Sequence, residues 1–276
     1  MRVDLVDVFV NGSLSGNPLA VVHGGEALSD AAMQSFARWI GFSETTFLLP
    51  PTHPDADYLV RIFTPTVELP FAGHPTLGSA YAWSAAGGKA KGAHIVQECG
   101  VGLVPVRVAG QELAFRAPPL RRSGPLTADE RAAAVAQLRI RDGDVLDAVH
   151  VDNGPPWQLL RLADAEAVLA IDPDIAVTGL VDLGVIGPSQ EPGVDWEIRA
   201  FFTKSGGVLA EDPVTGSLNA GAALYLYENG LASGDYVAAQ GRKTGADGRV
   251  YVSSDADGVW IGGRVGMVAQ GAALTV

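Results

Sequence analysis

The sequence predicts an α+β fold of two pseudo-symmetric lobes, each a curved sheet or barrel around a central apolar helix. Three observations carry this. Short strand-like segments are many and helices few, without the strict alternation of parallel α/β folds. Two helical segments are apolar nearly all round, so each must be covered on every side. One strand–loop–helix pattern also occurs twice, half a chain length apart in 276 residues.

Residues 1–10 alternate as a first strand, with a turn at Asn11-Gly12-Ser13. Gly16-Asn17-Pro18 then leads into a strand at Leu19–His23. Ser29 and Asp30 open a helix with a hydroxyl cap and an acid in the first turn. Met33, Phe36, Ala37 and Ile40 share one face of it, and Gly41 closes it. Strand-like runs follow at Phe42–Leu49 and Tyr58–Phe63, then a helix over Pro75–Ala86, stopped by Gly87-Gly88. Antiparallel strands are expected at His94–Glu98, Leu103–Val108 and Glu112–Arg116.

A polar connector, Pro118–Pro125, precedes an amphipathic helix at Ala128–Leu138. Strands near Val145–Val151 and Trp157–Leu162, a short helix near Ala165–Ala170, and strands near Leu180–Ile186 and Trp196–Thr203 follow. A second apolar helix spans Pro213–Tyr227. Final strands lie near Tyr236–Gln240, Arg249–Val252, Gly258–Gly262 and Met267–Leu274. The expected lobes are 1–118, to which a last strand at 265–276 can belong, and 119–264.

The repeat aligns His74-Pro75-Thr76-Leu77-Gly78-Ser79 with Asp212-Pro213-Val214-Thr215-Gly216-Ser217 at an offset of 138. Arg61 and Phe63 upstream match Arg199 and Phe201 at the same offset. Two lobes facing each other across a cleft are the expected outcome. In this reading both helices open with a hydrogen-bonding side chain, His74 or Asp212, followed by proline at the first helical position. Helix starts carry unpaired N–H groups and partial positive charge, so they suit anions. Gly73, Gly216 and Ser217 can hold a substrate carboxylate there. By pattern alone, His74 and Asp212 can equally be ordinary caps.

Glu44 is the third element. Alternation places it with Phe42, Thr46 and Leu48, and a carboxyl among apolar neighbours is expected to have a raised pKa. Such a group suits proton donation and return near neutral pH, a contribution of about 10²–10⁴-fold. The plain alternative is a glutamate at a strand end in water.

Composition removes other classes. The net charge of -12 argues against nucleic acid, and an acidic small molecule must be captured by local groups. A single cysteine, Cys99, forbids an internal disulfide and a cysteine-rich zinc site. His23, His53, His94 and His150 lack ligand spacing, so no metal is expected. No Gly-x-Gly-x-x-Gly follows a strand, so neither nicotinamide nor flavin is implied. Gly241-Arg242-Lys243-Thr244 lacks phosphate-loop spacing and reads as a hairpin turn, and Asp255-Ala256-Asp257-Gly258 reads as another. No leader peptide and no apolar run of the ~18 residues needed for a span are seen, so a cytoplasmic protein without membrane partners is expected.

The stretches DVFVNGSLSGNPLAVV (Asp7–Val22), GFSETTFLLP (Gly41–Pro50), RIFTPTVELPFAGHPTLGSA (Arg61–Ala80) and AEDPVTGSLNAGAALYL (Ala210–Leu226) together resemble the PhzF family of phenazine-biosynthesis-like proteins. The resemblance spans nearly the whole chain. It implies a diaminopimelate-epimerase-like fold, usually a homodimer, and cofactor-free proton shuttling by the glutamate of SETTF, here Glu44. It also implies that His74, Asp212 and Ser217 line the cleft. Asn17, in the first stretch, joins Gly73, Gly216 and Ser217 as a substrate-binding candidate. Fold relatives that racemise amino acids use one thiol from each lobe, which a single cysteine excludes. The chain departs from the family at Gln240–Gly248, where relatives usually carry Gly-Arg-Pro-Ser after Gln-Gly and three residues. That departure leaves the substrate open.

The leading expectation is a cofactor-independent isomerase moving a proton within a small anionic, carboxylate-bearing substrate. Alternatives are a non-catalytic small-molecule or protein-binding module on the same fold, and a lyase or dehydratase using the same glutamate.

Overall fold

A computed structural model describes residues 1–177, 179–204 and 207–274. The chain divides into two compact units, Met1–Arg116 with Gly262–Val276, and Ala117–Ile261. In chain order the elements begin with β1 (Arg2–Val8), β2 (Asn17–His23), α1 (Asp30–Ile40), β3 (Thr45–Leu49), β4 (Tyr58–Phe63) and β5 (Glu68–Leu69). Next come α2 (Gly73–Ala85), β6 (Ile95–Cys99), β7 (Gly102–Ala109) and β8 (Glu112–Arg116). The second unit holds β9 (Arg122–Pro125), α3 (Ala128–Leu138), β10 (Asp147–Asp152), β11 (Gln158–Arg161), α4 (Ala165–Ala170) and β12 (Asp182–Pro188). It continues with β13 (Trp196–Lys204), β14 (Val208–Asp212), α5 (Gly216–Glu228), β15 (Tyr236–Gln240) and β16 (Gly248–Asp255), and β17 (Gly258–Ala273) ends the list.

In the first unit the strands close on themselves in the order β1-β2-β3-β4-β6-β7-β8-β17, with β17 returning to β1. Helix α2 touches β1, β2, β3, β6, β7 and β8, so it fills this eight-stranded barrel. Helix α1 packs outside, where Met33, Phe36 and Ala37 meet Val22, Phe47 and Phe63. Strand alternation separates the two cores. Thr46 accepts a hydrogen bond from Ser79 of α2 at 2.9 Å, while its neighbour Phe47 joins the α1 cluster. Ser29 caps α1 by accepting from the Ala32 N–H, and Gly41 ends it in the left-handed region.

In the second unit β9 to β13 pair in sequence, and both β14 and β15 lie beside β13, with β16 beyond β15. Helix α5 packs on β10 and β16, whereas α3 and α4 contribute Ala134, Leu138 and Val168 to a separate cluster with Leu160, Val185 and Phe201. The central helices approach their sheets at one glycine each. A Cβ at Gly78 would lie 2.5 Å from Leu19 Cδ2, and one at Gly221 would lie 2.6 Å from the Val151 carbonyl oxygen.

Several sequence expectations need correction. Strand β9 occupies the end of the polar connector expected over Pro118–Pro125. Gly124 and Pro125 suit a sheet edge, and they pair with His150 and Val149. Strands β5 and β14 carry no local signal strong enough to have been read. The strands expected at Gly258–Gly262 and Met267–Leu274 are one continuous β17, because its pairing with β1 absorbs the irregularities between Val3 and Val6.

Candidate active site

In the first unit, Glu44 stands one residue ahead of β3, with Phe42 and Ser43 in a bend. The strand expected over Phe42–Leu49 is therefore shorter. The left-handed Gly41 that ends α1 turns the chain, and Phe42 leaves the face assigned to it. It lines a surface cavity with Leu5, Leu14, Pro18 and Val268. Glu44 keeps its side, since alternation from Thr46 puts it toward α2. Its Oε2 lies 3.5 Å from His74 Nε2.

His74 is the second residue of α2, not its cap. The cap is Ala72, which offers no side-chain bond, because the helix already begins at Gly73. Burial alone pushes the His74 pKa down to about 3, so the ring is neutral at physiological pH. The Glu44 contact lacks hydrogen-bond alignment, and Nε2 is a buried polar atom without a hydrogen-bond partner among the described residues. Buried polar atoms are rarely left so. Asn17 is fully buried at the start of β2, opposite Val8.

In the second unit, Asp212 also fails to cap. It ends β14 opposite Ala200, and α5 begins four residues later at Gly216 with Thr215 as its cap residue. Pro213 explains this, since the residue before a proline is held extended. Asp212 Oδ2 instead accepts from the Thr215 hydroxyl at 2.5 Å. Gln240 organises the same corner. Its Oε1 accepts from the Thr215 N–H (3.0 Å) and from Asn219 Nδ2 (2.8 Å), while its Nε2 donates to Thr215 Oγ1 (2.9 Å) and to the Asp212 carbonyl (3.2 Å). Ser217 Oγ accepts from Trp157 Nε1 at 2.9 Å, and its carbonyl accepts from Asn153 Nδ2 at 2.8 Å.

The register corrects the repeat. Phe63 lies opposite Glu68, and Phe201 opposite Glu211, so the second hairpin is five residues longer. Before it the offset is 138; after it the offset is 143. Residues 68–74, Glu-Leu-Pro-Phe-Ala-Gly-His, therefore match residues 211–217, Glu-Asp-Pro-Val-Thr-Gly-Ser. The helices agree: Thr76 Oγ1 donates to the Ala72 carbonyl and Asn219 Nδ2 to the Thr215 carbonyl, both at 2.9 Å. Ser217, not Asp212, is the counterpart of His74, and Asp212 corresponds to Leu69.

Two further features escaped sequence reasoning. Arg61 grips Glu68 with two bonds of 2.7 Å, and Arg199 grips Glu211 with bonds of 2.9 and 2.8 Å. Each guanidinium also lies over a phenylalanine ring, Phe63 or Phe201. Only the arginines and phenylalanines stood out in the repeat. Second, Asp182 opens β12 at the position equivalent to Glu44, and burial pushes its pKa up to about 6. A uniform offset of 138 from Glu44 would have found it.

A helix covered by curved sheet, occurring twice in one chain, defines the class shared with proline-racemase-like proteins. A probable proline racemase from Agrobacterium radiobacter matches with a TM-score of 0.60 over 99% of this chain and 93% of that one, at 15% identity, a likeness of fold alone. Within that class, the chain belongs to the PhzC-PhzF family of phenazine biosynthesis-like proteins, whose family model matches residues 6–271. A PhzF-family structure from Enterococcus faecalis matches at 25% identity with a TM-score of 0.80, covering 99% of each chain. A trans-2,3-dihydro-3-hydroxyanthranilate isomerase from Pseudomonas aeruginosa is 32% identical over 93% of this chain and 91% of that protein. Antisense-enhancing sequence 1 of Schizosaccharomyces pombe is 38% identical, but over 61% of this chain and 60% of that protein. The match to an uncharacterized isomerase of Mesorhizobium japonicum, 49% identical, spans 34% of that protein. Several curated relatives are thus named isomerases. No helix among the described residues is long and apolar enough to cross a membrane.

Proposed function

We propose that this protein is a cofactor-independent isomerase that relocates a proton within a small, carboxylate-bearing, unsaturated substrate. The observation that carries this reading is Glu44, half-buried beside a neutral imidazole whose Nε2 lacks a hydrogen-bond partner among the described residues. The Glu44 carboxylate takes a proton from carbon, and the electron pair shifts through the adjacent double bond. The carboxylic acid then returns the proton to another carbon, so mass and oxidation state are unchanged. Neutral His74 gives Glu44 a polar neighbour that does not pin it in the charged form. N–H groups at the starts of α2 (Gly73) and α5 (Gly216 and Ser217) are assigned to the substrate carboxylate, with Asn17 beside them in role. Asp212 is assigned to steadying charge that develops during transfer. A homodimer is the proposed assembly, and a monomer mass by sedimentation equilibrium would remove it.

Trans-2,3-dihydro-3-hydroxyanthranilate, the compound named for the Pseudomonas relative, is the first to test, followed by other cyclic acids. Incubation in heavy water is expected to give product of unchanged skeleton carrying deuterium. Glu44→Gln is expected to lower turnover by about 10²–10⁴-fold. Undiminished turnover in that variant ends the assignment, and a product lighter by one water makes the reaction a dehydration.

A further inference from the structure

One buried carboxyl group of the second unit has no part in this chemistry. Glu197, on β13, is fully buried, and neither of its oxygens makes a hydrogen bond among the described residues. A carboxylate so placed is costly unless a cation faces it. Arg242 is that cation, its Nη1 3.4 Å from Glu197 Oε2. Arg242 also pairs with Glu191 and lies 3.6 Å from Asp247, while Arg249 pairs with Asp247 at 2.6 Å and Glu191 at 3.1 Å. Three acids and two arginines meet where the chain leaves β15.

That corner adjoins the start of α5. Ala239 pairs with Glu197 across the sheet, Gln240 holds Thr215, Asn219 and the Asp212 carbonyl, and Arg242 follows two residues later. Between them, Gly241 has φ of 102°, and a Cβ there would lie 2.5 Å from the Pro213 carbonyl oxygen. The backbone thus rests directly on the segment joining Asp212 to α5. Glu197 and Arg242 bracket Gln240 from both sides.

We propose that Glu197 and Arg242 form a positioning pair that holds the Gln240–Gly241 corner, and through it Asp212 and the first turn of α5. Its catalytic consequence rests on the proposed isomerase function; its structural consequence does not. Burial, reinforced by Glu191 and Asp247 and opposed by Arg242 and Arg249, pushes the Glu197 pKa up to about 7. The closed corner therefore favours the protonated acid, and opening that exposes Glu197 to water grows easier as pH rises from about 4.5 through 7, a loosening that Arg242 limits.

The test is amide hydrogen exchange by NMR on the full chain without substrate. Protection of the Thr215 N–H, bonded to Gln240, is compared with that of the Thr76 N–H, bonded to the Ala72 carbonyl in the first unit. The expected result is a Thr215/Thr76 protection ratio that falls about tenfold between pH 6 and pH 8. Glu197→Gln is expected to hold the ratio near its pH 6 value throughout, Arg242→Met to deepen the fall, and Arg242→Lys to bring it back toward the parental slope. A pH-independent ratio in the parent overturns the proposal even if the variants do not fold. So does a Glu197→Gln protein with parental behaviour, or equal loosening at Thr76. Because no turnover is measured, failure here and failure of the isomerase reading remain separate results.

Discussion

The two units cover a central helix with the same polar joint built from different parts. In the first, Thr76 bonds the carbonyl of the cap residue Ala72, Gln97 donates to Thr76, and the Tyr58 hydroxyl donates to Gln97. In the second, Asn219 bonds the Thr215 carbonyl and Gln240 receives both Asn219 and the Thr215 N–H. The Arg–Glu clamp and its phenylalanine recur almost unchanged. The acids do not. Glu44 meets His74, whereas Asp182 makes no hydrogen bond or ion pair among the described residues, and alternation from Gly184, which lies against Leu218, puts it on the α5 side of β12. The joint and the clamp that support the scaffold recur in both units, and the surroundings of the acid do not. Outside the barrel, α1 has eleven residues and α4 six, so Arg199 bonds the carbonyls of Val168 and Ile171 where Arg61 bonds Asp30.

The sharpest way to break this comparison is to exchange roles between the acids. Alongside the fall expected for Glu44→Gln, Asp182→Asn is expected to change turnover less than about threefold. A loss as deep as that of Glu44→Gln would make the units functionally symmetric. Next in size is a pH effect confined to the first unit. His74 is held well below its unfolded pKa of ~6.5, so the unfolded chain binds the extra proton and stability falls as pH drops from about 6.5 toward 3. His74→Asn is expected to flatten that fall by roughly 3 kcal/mol between pH 7 and pH 4, read from urea unfolding curves.

The joints then separate by bonding. Gln240→Ala strips the partner from the Thr215 N–H and Asn219 together, and is expected to cost about 2–3 kcal/mol. Gln97→Ala, with fewer dependants, is expected to cost about 1–2 kcal/mol, and thermal melts rank the two. Among the glycines, Gly221→Ala meets a backbone oxygen while Gly78→Ala meets the movable end of Leu19, so the former should cost about 1–3 kcal/mol and the latter less. Opposite in sign to the His74 effect is that of Asp182→Asn. Its carboxyl is held above its unfolded value, so it loses stability as pH rises from about 4 through 6. The amide should gain roughly 3 kcal/mol at pH 7 and nothing at pH 3.

Much of the secondary structure was legible because its signals are local. The amphipathic helix Ala128–Leu138 and the strands Tyr58–Phe63 and Glu112–Arg116 coincide with the observed elements. The all-apolar helices announced a covering of curved sheet without naming its strands. The helix starts were misplaced because Pro75 and Pro213 look alike in sequence. One lies inside the first turn of its helix, while the other holds Asp212 in a strand. The repeat slipped for a related reason: a five-residue hairpin extension leaves no mark until Phe201 is seen opposite Glu211.

What the sequence by itself determined is the two-unit α+β architecture, the buried helices and the short set of polar residues at their starts. Each of these depends on neighbours a few positions apart. Only the tertiary structure decided that His74 answers to Ser217 and that Gln240 secures Asp212. Those relations join residues tens of positions apart through strand register and burial, and neither quantity is written in any local window of the chain.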